Sequence, residues 1–239
     1  VLPPAPEAGL LLLVAPDPGV GGHSRDRDAR DWAARLQLPC LEPGGLQEAY
    51  DMSFDAFELS ERFLLPVVLR TVPRLAAREG CVRVRSGGPP RTGPGPAGHR
   101  EELDDDLARA GHSLLIPSMD GSSLAVVTAG MARRDYLECA DELSLRPWHL
   151  HVGAYPFPAA AIERLVRECD TLLVLEEGYP FLERALRETV AGDLRVLGRE
   201  TGTLPPGRDL DLAHIRQALD LPEAPRGPGE EDCDADPTE

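Results

Sequence analysis

The stretch that most constrains this chain runs from Ser123 to Arg187, because its apolar period switches repeatedly between that of a strand and that of a helix. Leu124 to Thr128 is a short apolar run ending at Ala129-Gly130. Ala132, Tyr136, Cys139, Ala140 and Leu143 then recur at helical spacing. In Trp148-His149-Leu150-His151-Val152 the period drops to two, as in a strand. Pro158 can open a second helix with Ile162, Leu165, Val166 and Cys169 facing inward. Leu172 to Leu175 reads as a buried strand, and Glu176-Glu177-Gly178-Tyr179-Pro180 turns into a third helix carrying Leu182, Ala185 and Leu186. Repeated units of this kind build a parallel sheet covered by helices, so the fold class is α/β.

The first part of the chain follows the same grammar. Leu10 to Ala15 reads as a buried-type strand, followed by a loop over Asp17 to Ser24. A helix comes next with Ala29, Trp32, Ala33 and Leu36 on one face, and Asp26 and Asp28 near its start complement the helix dipole. Leu38 to Leu41 is a second strand. Glu42-Pro43-Gly44-Gly45 turns into a long helix carrying Leu46, Ala49, Tyr50, Phe57 and Phe63, and Pro66 to Arg70 is a third strand. Ser86 to Gly98 is too rich in glycine and proline for a helix or an inner strand and reads as a linker. Glu101 to Ala110 suits an acidic helix, and Leu114 to Pro117 has the apolar character to dock on either unit. Leu194 to Leu197 is a last strand, and Asp211 can cap a short helix bearing Leu212, Ile215 and Leu219. Pro222 to Glu239 is acidic and proline-containing, the composition of a disordered tail. The expected division is an α/β unit over 1–85, a linker with an acidic segment over 86–120, a second α/β unit over 121–221, and a tail over 222–239.

Composition supports two small cores: 239 residues with 42% apolar side chains suffice for them. A net charge of −16 would repel both a nucleic-acid backbone and an anionic membrane, so neither is expected as partner. The longest apolar run, Leu10 to Ala15, is far short of the roughly 20 residues a membrane helix needs, and a cytoplasmic location is expected. Cys40, Cys81, Cys139, Cys169 and Cys233 are scattered without a C-x-x-C pair, which points to neither an iron–sulfur cluster nor a disulfide framework. Cys139 and Cys169 fall on apolar helix faces and read as small buried residues.

Several residues carry the types that chemistry uses. The loop containing Gly19, Gly21 and Gly22 follows a first strand, where exposed amides can hold an anion. It matches neither G-x-G-x-x-G nor G-x-x-x-x-G-K-[ST], and the chain has no lysine, so a tight turn is the preferred reading. His149 and His151 share one face of a strand, the geometry of a chelating pair, but no third ligand is placed near them. The plainer reading makes them the less buried face opposite Trp148, Leu150 and Val152. Glu176 and Glu177 end a buried strand, where open α/β sheets place functional loops. One of them could act as a general base, or could cap the following helix or pair with an arginine across an interface; the second reading is preferred. Arg70, Thr71 and Arg74 occupy the equivalent strand end in the first unit, where arginine suits a carboxylate or phosphate bidentately or an interdomain salt bridge. No G-x-S-x-G elbow or triad spacing is present.

These motifs also carry a resemblance. VVTAGMA, a Y-x-x-E helix, G-x-Y-P-F-P and D-T-L-L-V-L-E-E-G-Y-P-F-L-E, in that order, resemble the transketolase C-terminal-like domain of the large subunit of indolepyruvate:ferredoxin oxidoreductase. LVAPDPG, D-A-R-D-W-A, P-C-L-E-P-G-G-L-Q-E-A-Y-D-M and A-F-E-L-S-E-R-F-L-L-P-V-V-L-R-T are similar to the second half of the pyrimidine-binding domain of the same subunit. Pro18, Gly19, Asp28 and Arg30 match the family's loop, whereas the histidine of the family's R-T-T-T-R-V-S-H is Ala77 here. The resemblance implies a component or fragment of a thiamine-diphosphate-dependent 2-oxoacid:ferredoxin oxidoreductase. In the family that enzyme oxidatively decarboxylates an aryl 2-oxoacid to its acyl-coenzyme A and passes electrons through iron–sulfur clusters to ferredoxin. Neither the family's cofactor-activating glutamate nor its G-D-G…N diphosphate motif is present, so this chain alone is expected to be inactive and to bind no cofactor. It would contribute scaffold and interface, with Gly19, Arg70, Thr71, Arg74, Glu176 and Glu177 as the interface candidates. Thiamine diphosphate, magnesium and iron–sulfur clusters are expected in the whole enzyme on partner polypeptides, with ferredoxin an indirect partner and an oligomer the expected state. The alternative is a non-catalytic interaction module descended from that subunit.

Overall fold

A computed structural model describes residues 9–15, 28–85, 100–190, 194–206 and 210–222. The expectations for Gly19 and its loop, for residues 86–98 and for the tail from 223 onward fall outside these. The described elements are β1 (Leu11–Val14), α1 (Ala29–Leu36), β2 (Cys40–Leu41), α2 (Leu46–Phe63), β3 (Val67–Arg70), α3 (Pro73–Ala76), α4 (Arg100–Arg109), β4 (Leu114–Ile116), β5 (Leu124–Ala129), α5 (Ala132–Ala140), β6 (Trp148–Val152), β7 (Ala154–Tyr155), α6 (Ala159–Glu168), β8 (Thr171–Leu175), α7 (Phe181–Thr189), β9 (Arg195–Leu197) and α8 (Leu212–Ala218).

They form two mostly parallel sheets. The first has the order β1-β3-β2-β7 and the second β4-β6-β5-β8-β9. Each carries one antiparallel strand, β7 on β2 and β4 on β6. The chain therefore is α/β with two mainly parallel sheets. The second sheet follows from its sequence: β5 and β8 are apolar runs covered on both faces, as parallel interior strands are. Asp211 caps α8 through the His214 amide at 2.9 Å.

The two sheets share material. β7 lies in the sequence of the second unit but pairs with β2, Cys40 opposite Tyr155 and Leu41 opposite Ala154. One apolar cluster takes Ala29, Cys40 and Val68 from the first unit and Val127, Leu150, Leu172 and Leu182 from the second. Backbone approach is close as well. A Cβ on Gly44 would sit 2.6 Å from the Gly130 carbonyl oxygen, and Gly130 itself has φ +53, so the β2–α2 and β5–α5 loops touch where only glycine fits.

The structure corrects several burial expectations. β1 is not a buried strand: it pairs only with β3 among the described residues and leaves Leu13 67% exposed, because it is the edge of its sheet. The inward face of α1 holds Ala29, Arg30 and Ala33, while Leu36 is exposed. Phe57 of α2 and Val166 of α6 also lie outward, the burial falling instead on Met52, Ala56, Leu59 and Phe63 and on Ile162 and Leu165. His149 and His151 are not the less buried face of β6, since all five residues of that inner strand are buried. Cys139 and Cys169 are buried free thiols. Among the described residues no helix is long and apolar enough to cross a membrane.

Candidate functional site

The C-terminal ends of the strands in both sheets converge on a buried cluster of charges. Asp28 caps α1, accepting from the Arg30 amide at 2.9 Å, and this cap holds Arg30 in the first turn, pointed inward. Arg30 is fully buried. Its Nε and Nη2 donate to the two oxygens of Asp28 at 2.9 and 2.7 Å, the bidentate geometry that suits arginine. Its Nη1 donates to Glu176 at 2.8 Å, and Nη2 also reaches the Tyr179 carbonyl at 2.8 Å. One side chain thus joins the start of α1 to the end of β8.

Arg70, at the end of β3, forms the second bridge. Its Nη1 pairs with Glu42, which follows β2, and its Nη2 donates to the Glu177 carbonyl at 3.0 Å. Gly178 has φ +78, and a Cβ there would come within 3.4 Å of the Arg70 guanidinium, so the glycine lets the loop after β8 close over the arginine. The other Glu42 oxygen accepts from the Tyr155 hydroxyl at 2.9 Å, tying β7 in. Outside this core, Arg74 links Asp135 of α5 at 2.5 Å and Glu177 at 2.9 Å.

Electrostatics explain why these groups survive burial. Burial pushes the Asp28 carboxyl up, but Arg30 and Arg70 outweigh it and hold its pKa at about 2. Burial dominates at Glu176, whose pKa is raised in spite of Arg30 and the amides of Glu183 and Leu182. Burial likewise raises Tyr155 well above the usual phenol range, with Glu42 adding to it. The core holds three carboxylates, Asp28, Glu42 and Glu176, against two guanidiniums.

Of the residues singled out by sequence, the structure brings Arg70, Arg74, Glu176 and Glu177 together. Thr71 continues the β3 end, its amide donating to the Val14 carbonyl at 2.9 Å, and Gly19 lies outside the described residues. Glu176 accepts from the Leu182 amide at 3.0 Å, the Glu183 amide at 2.8 Å and Arg30, so its geometry is that of a helix cap and counter-ion. Sequence reasoning did not single out Arg30, Asp28, Glu42 and Tyr155 as members of the site. The available signals were the D-x-R at 28–30 and the Glu-Pro-Gly after β2, both inside the family's motifs.

His149 and His151 lie away from this cluster. Their Nε2 and Nδ1, respectively, stand 3.0 and 3.2 Å from the single hydroxyl of Thr128, and His149 packs edge-on to Tyr136. Burial, with the nearby Arg133 charge, lowers their pKa values to about 4 and about 3, so both rings are neutral at physiological pH. No group of three or more histidines, cysteines or acids among the described residues could hold a metal ion.

The thiamine diphosphate implied by the family resemblance has no fitting cradle among the described strand ends. Arg30 and Arg70 are bound by Asp28, Glu42 and Glu176, the buried Arg199 after β9 donates to the Glu176 and Pro205 carbonyls, and the acidic excess around Arg30 and Arg70 opposes a diphosphate. What the arrangement does do is lock two sheets together.

No family model matches the chain. It is 35% identical over 238 residues to the indolepyruvate oxidoreductase subunit IorA of Methanothermobacter thermautotrophicus, covering 89% of this chain and 38% of that protein. To the IorA subunit of Archaeoglobus fulgidus it is 25% identical over 232 residues, 88% of this chain and 37% of that one. The chain thus spans less than two-fifths of the length of these curated relatives. Among solved structures, a 2-oxoglutarate:ferredoxin oxidoreductase from Magnetococcus marinus superposes with a TM-score of 0.52 at 12% identity, covering 76% of this chain and 42% of that one. A split-gene transketolase, an inactive β4 tetramer, gives 0.52 at 14% identity, with 88% and 65% covered. At such identities the two structures speak for the fold alone.

Proposed function

From the homology of this chain to part of the indolepyruvate oxidoreductase subunit IorA, we propose that it is a scaffold and interface component of a 2-oxoacid:ferredoxin oxidoreductase of the indolepyruvate type. The single observation that carries the reading is that the match covers 89% of the chain, through both sheets and the charge cluster that joins them. In this reading the whole enzyme oxidatively decarboxylates an aryl 2-oxoacid to its acyl-coenzyme A and delivers electrons through iron–sulfur clusters to ferredoxin. Residues 1–85 and 121–221 are the two structural units, joined through 86–120. Thiamine diphosphate, magnesium and the clusters belong to other polypeptide regions, and the isolated chain is inactive.

The edge of the first sheet supports a partner. β1 offers one free row of backbone N–H and C=O groups among the described residues, beside the exposed Leu10 and Leu13, and such an edge is a template for a further strand. We assign it to the polypeptide that carries the diphosphate-binding part. The charge pairing inside the cluster also favours a second reading, a non-catalytic module, because each of its two buried guanidiniums, Arg30 and Arg70, is already paired with carboxylates.

Calorimetry with thiamine diphosphate and magnesium tests the division of labour. The isolated chain gives no saturable heat, and a complex with the polypeptide carrying the diphosphate-binding part does. One-to-one binding by the chain alone would overturn it.

A further inference from the structure

A cavity of about 650 Å³ lies beside the loop contact between the two sheets, between the start of α2 and the first turns of α5, in the size range of small-molecule sites. Arg78, Arg133 and Arg134 line it, together with Leu46 and Leu137. Two carboxylates share the wall, and both are engaged. Glu48 accepts from Arg133 at 2.5 Å with one oxygen and from the Gly44 amide at 2.8 Å with the other, and Glu138 pairs with Arg134 at 2.9 Å. Three guanidiniums thus face two carboxylates, a local positive excess in a chain of net charge −16. Arg78 is exposed and shows no side-chain partner among the described residues, and each of the other two pairs with a single carboxylate. Guanidinium forks with unused N–H groups are the usual receptors for oxyanions.

The cavity also has an apolar side. Leu137 is half-exposed on α5, and Leu46 lies opposite at the start of α2. Gly45 opens into the space: a Cβ there would meet nothing within 4 Å, and its φ of −169 is one that any residue adopts. We propose that this cavity binds an organic anion, a phosphate or carboxylate held by Arg78, Arg133 and Arg134 on an apolar body that rests on Leu46 and Leu137. The site is separate from the buried charge cluster and independent of the oxidoreductase reading.

Gly45→Asp supplies the sharpest test. Aspartate is a preferred helix N-cap, so the substitution leaves the fold intact while it places a carboxylate at the cavity mouth. Phenyl phosphate, benzoate and phenol are titrated into the full chain by calorimetry. The two aryl anions should saturate below about 10 mM, with phenol at least about tenfold weaker. The stronger of the two anions identifies the oxyanion class. In Arg78→Ala/Arg134→Ala, both positions being at the surface, and in Gly45→Asp, affinity should fall by about tenfold or more, the scale of one lost charge-assisted hydrogen bond, at unchanged melting temperature. Absence of saturation by both anions, phenol binding as tightly as they do, or full affinity in Gly45→Asp would each overturn the proposal.

Discussion

Replacing Arg30 by methionine keeps most of the side-chain volume and removes one positive charge from the point where the two sheets meet. Asp28 then loses both arms of its bidentate partner, Glu176 loses the guanidinium paired with its carboxylate, and Glu42 loses one 3.6 Å away. All three carboxylates are buried, and stripping one partner from a buried pair costs about 3–5 kcal/mol. Arg70 stays within 3.8 Å of Asp28 and recovers part of this, so the expected loss at pH 7 is about 3–4 kcal/mol. That is a large part of the roughly 5–15 kcal/mol that holds a domain of this kind. The penalty should depend on pH. In the variant, burial without Arg30 raises the folded pKa values of Asp28 and Glu176 above their unfolded ones, so the folded state binds the extra proton and the penalty shrinks as pH falls from 7 toward 5. Urea denaturation of wild type and variant, followed by near-ultraviolet circular dichroism of Trp32 and Trp148, gives the difference at each pH, and titrations common to both proteins cancel in it. Arg30→Met combined with Glu176→Gln should cost less than the sum of the single changes by about 1–3 kcal/mol. A loss below about 1 kcal/mol, or one that does not change between pH 7 and 5, would refute the claim that Arg30 compensates buried carboxylates.

Three further outcomes follow from the same structure. His149 and His151, with folded pKa values of about 4 and about 3 against 6.5 unfolded, bind protons only in the unfolded chain between those limits, so stability should fall as pH drops from 6.5 toward 4. At pH 5 the loss should be about 4 kcal/mol for the pair, and in a His149→Phe/His151→Phe variant that part of the slope should vanish. Asp28, held at about 2 by its arginines, keeps its contribution of about 2 kcal/mol above pH 4 and loses it below, which urea midpoints between pH 4 and 2 would show. A chain nicked at Arg91 should elute from a native column as one species and separate in denaturant, because β2 pairs with β7 and the apolar cluster spans both units. Separation without denaturant would mean that the shared core does not hold.

The legible parts of the fold were those where period alone decides. β5, β8 and the helices between them follow from switches between two- and three-to-four-residue spacing, and Asp211 announced α8 by its capping chemistry. Burial was harder to read. Leu10 to Ala15 has the composition of an interior strand, yet among the described residues β1 is an edge, since an apolar run does not record how many neighbours its strand will have. The histidines of β6 carry polar character in sequence but are buried, because the Thr128 hydroxyl on the neighbouring strand meets one nitrogen of each ring, a relation between distant positions. β7 is two residues long and joins the other sheet, too short for any period to show. At the site, Arg70, Glu176 and Glu177 were found by their position at strand ends. Arg30 was not, because an arginine on a helix reads as solvent-facing until the carboxylates that receive it are known from the tertiary structure.

The most direct measurement of the central claim is activity after reconstitution. The chain is co-expressed with the polypeptides carrying the diphosphate-binding and iron–sulfur parts, purified through a tag on this chain alone, and assayed for coenzyme A-dependent reduction of a viologen dye by indolepyruvate. The scaffold reading predicts one complex that contains this chain and is active, no activity from the chain by itself, and loss of the complex in Leu13→Lys, which charges the exposed edge of β1 while leaving the folded chain intact. Equal activity from the partner polypeptides with and without this chain would contradict it.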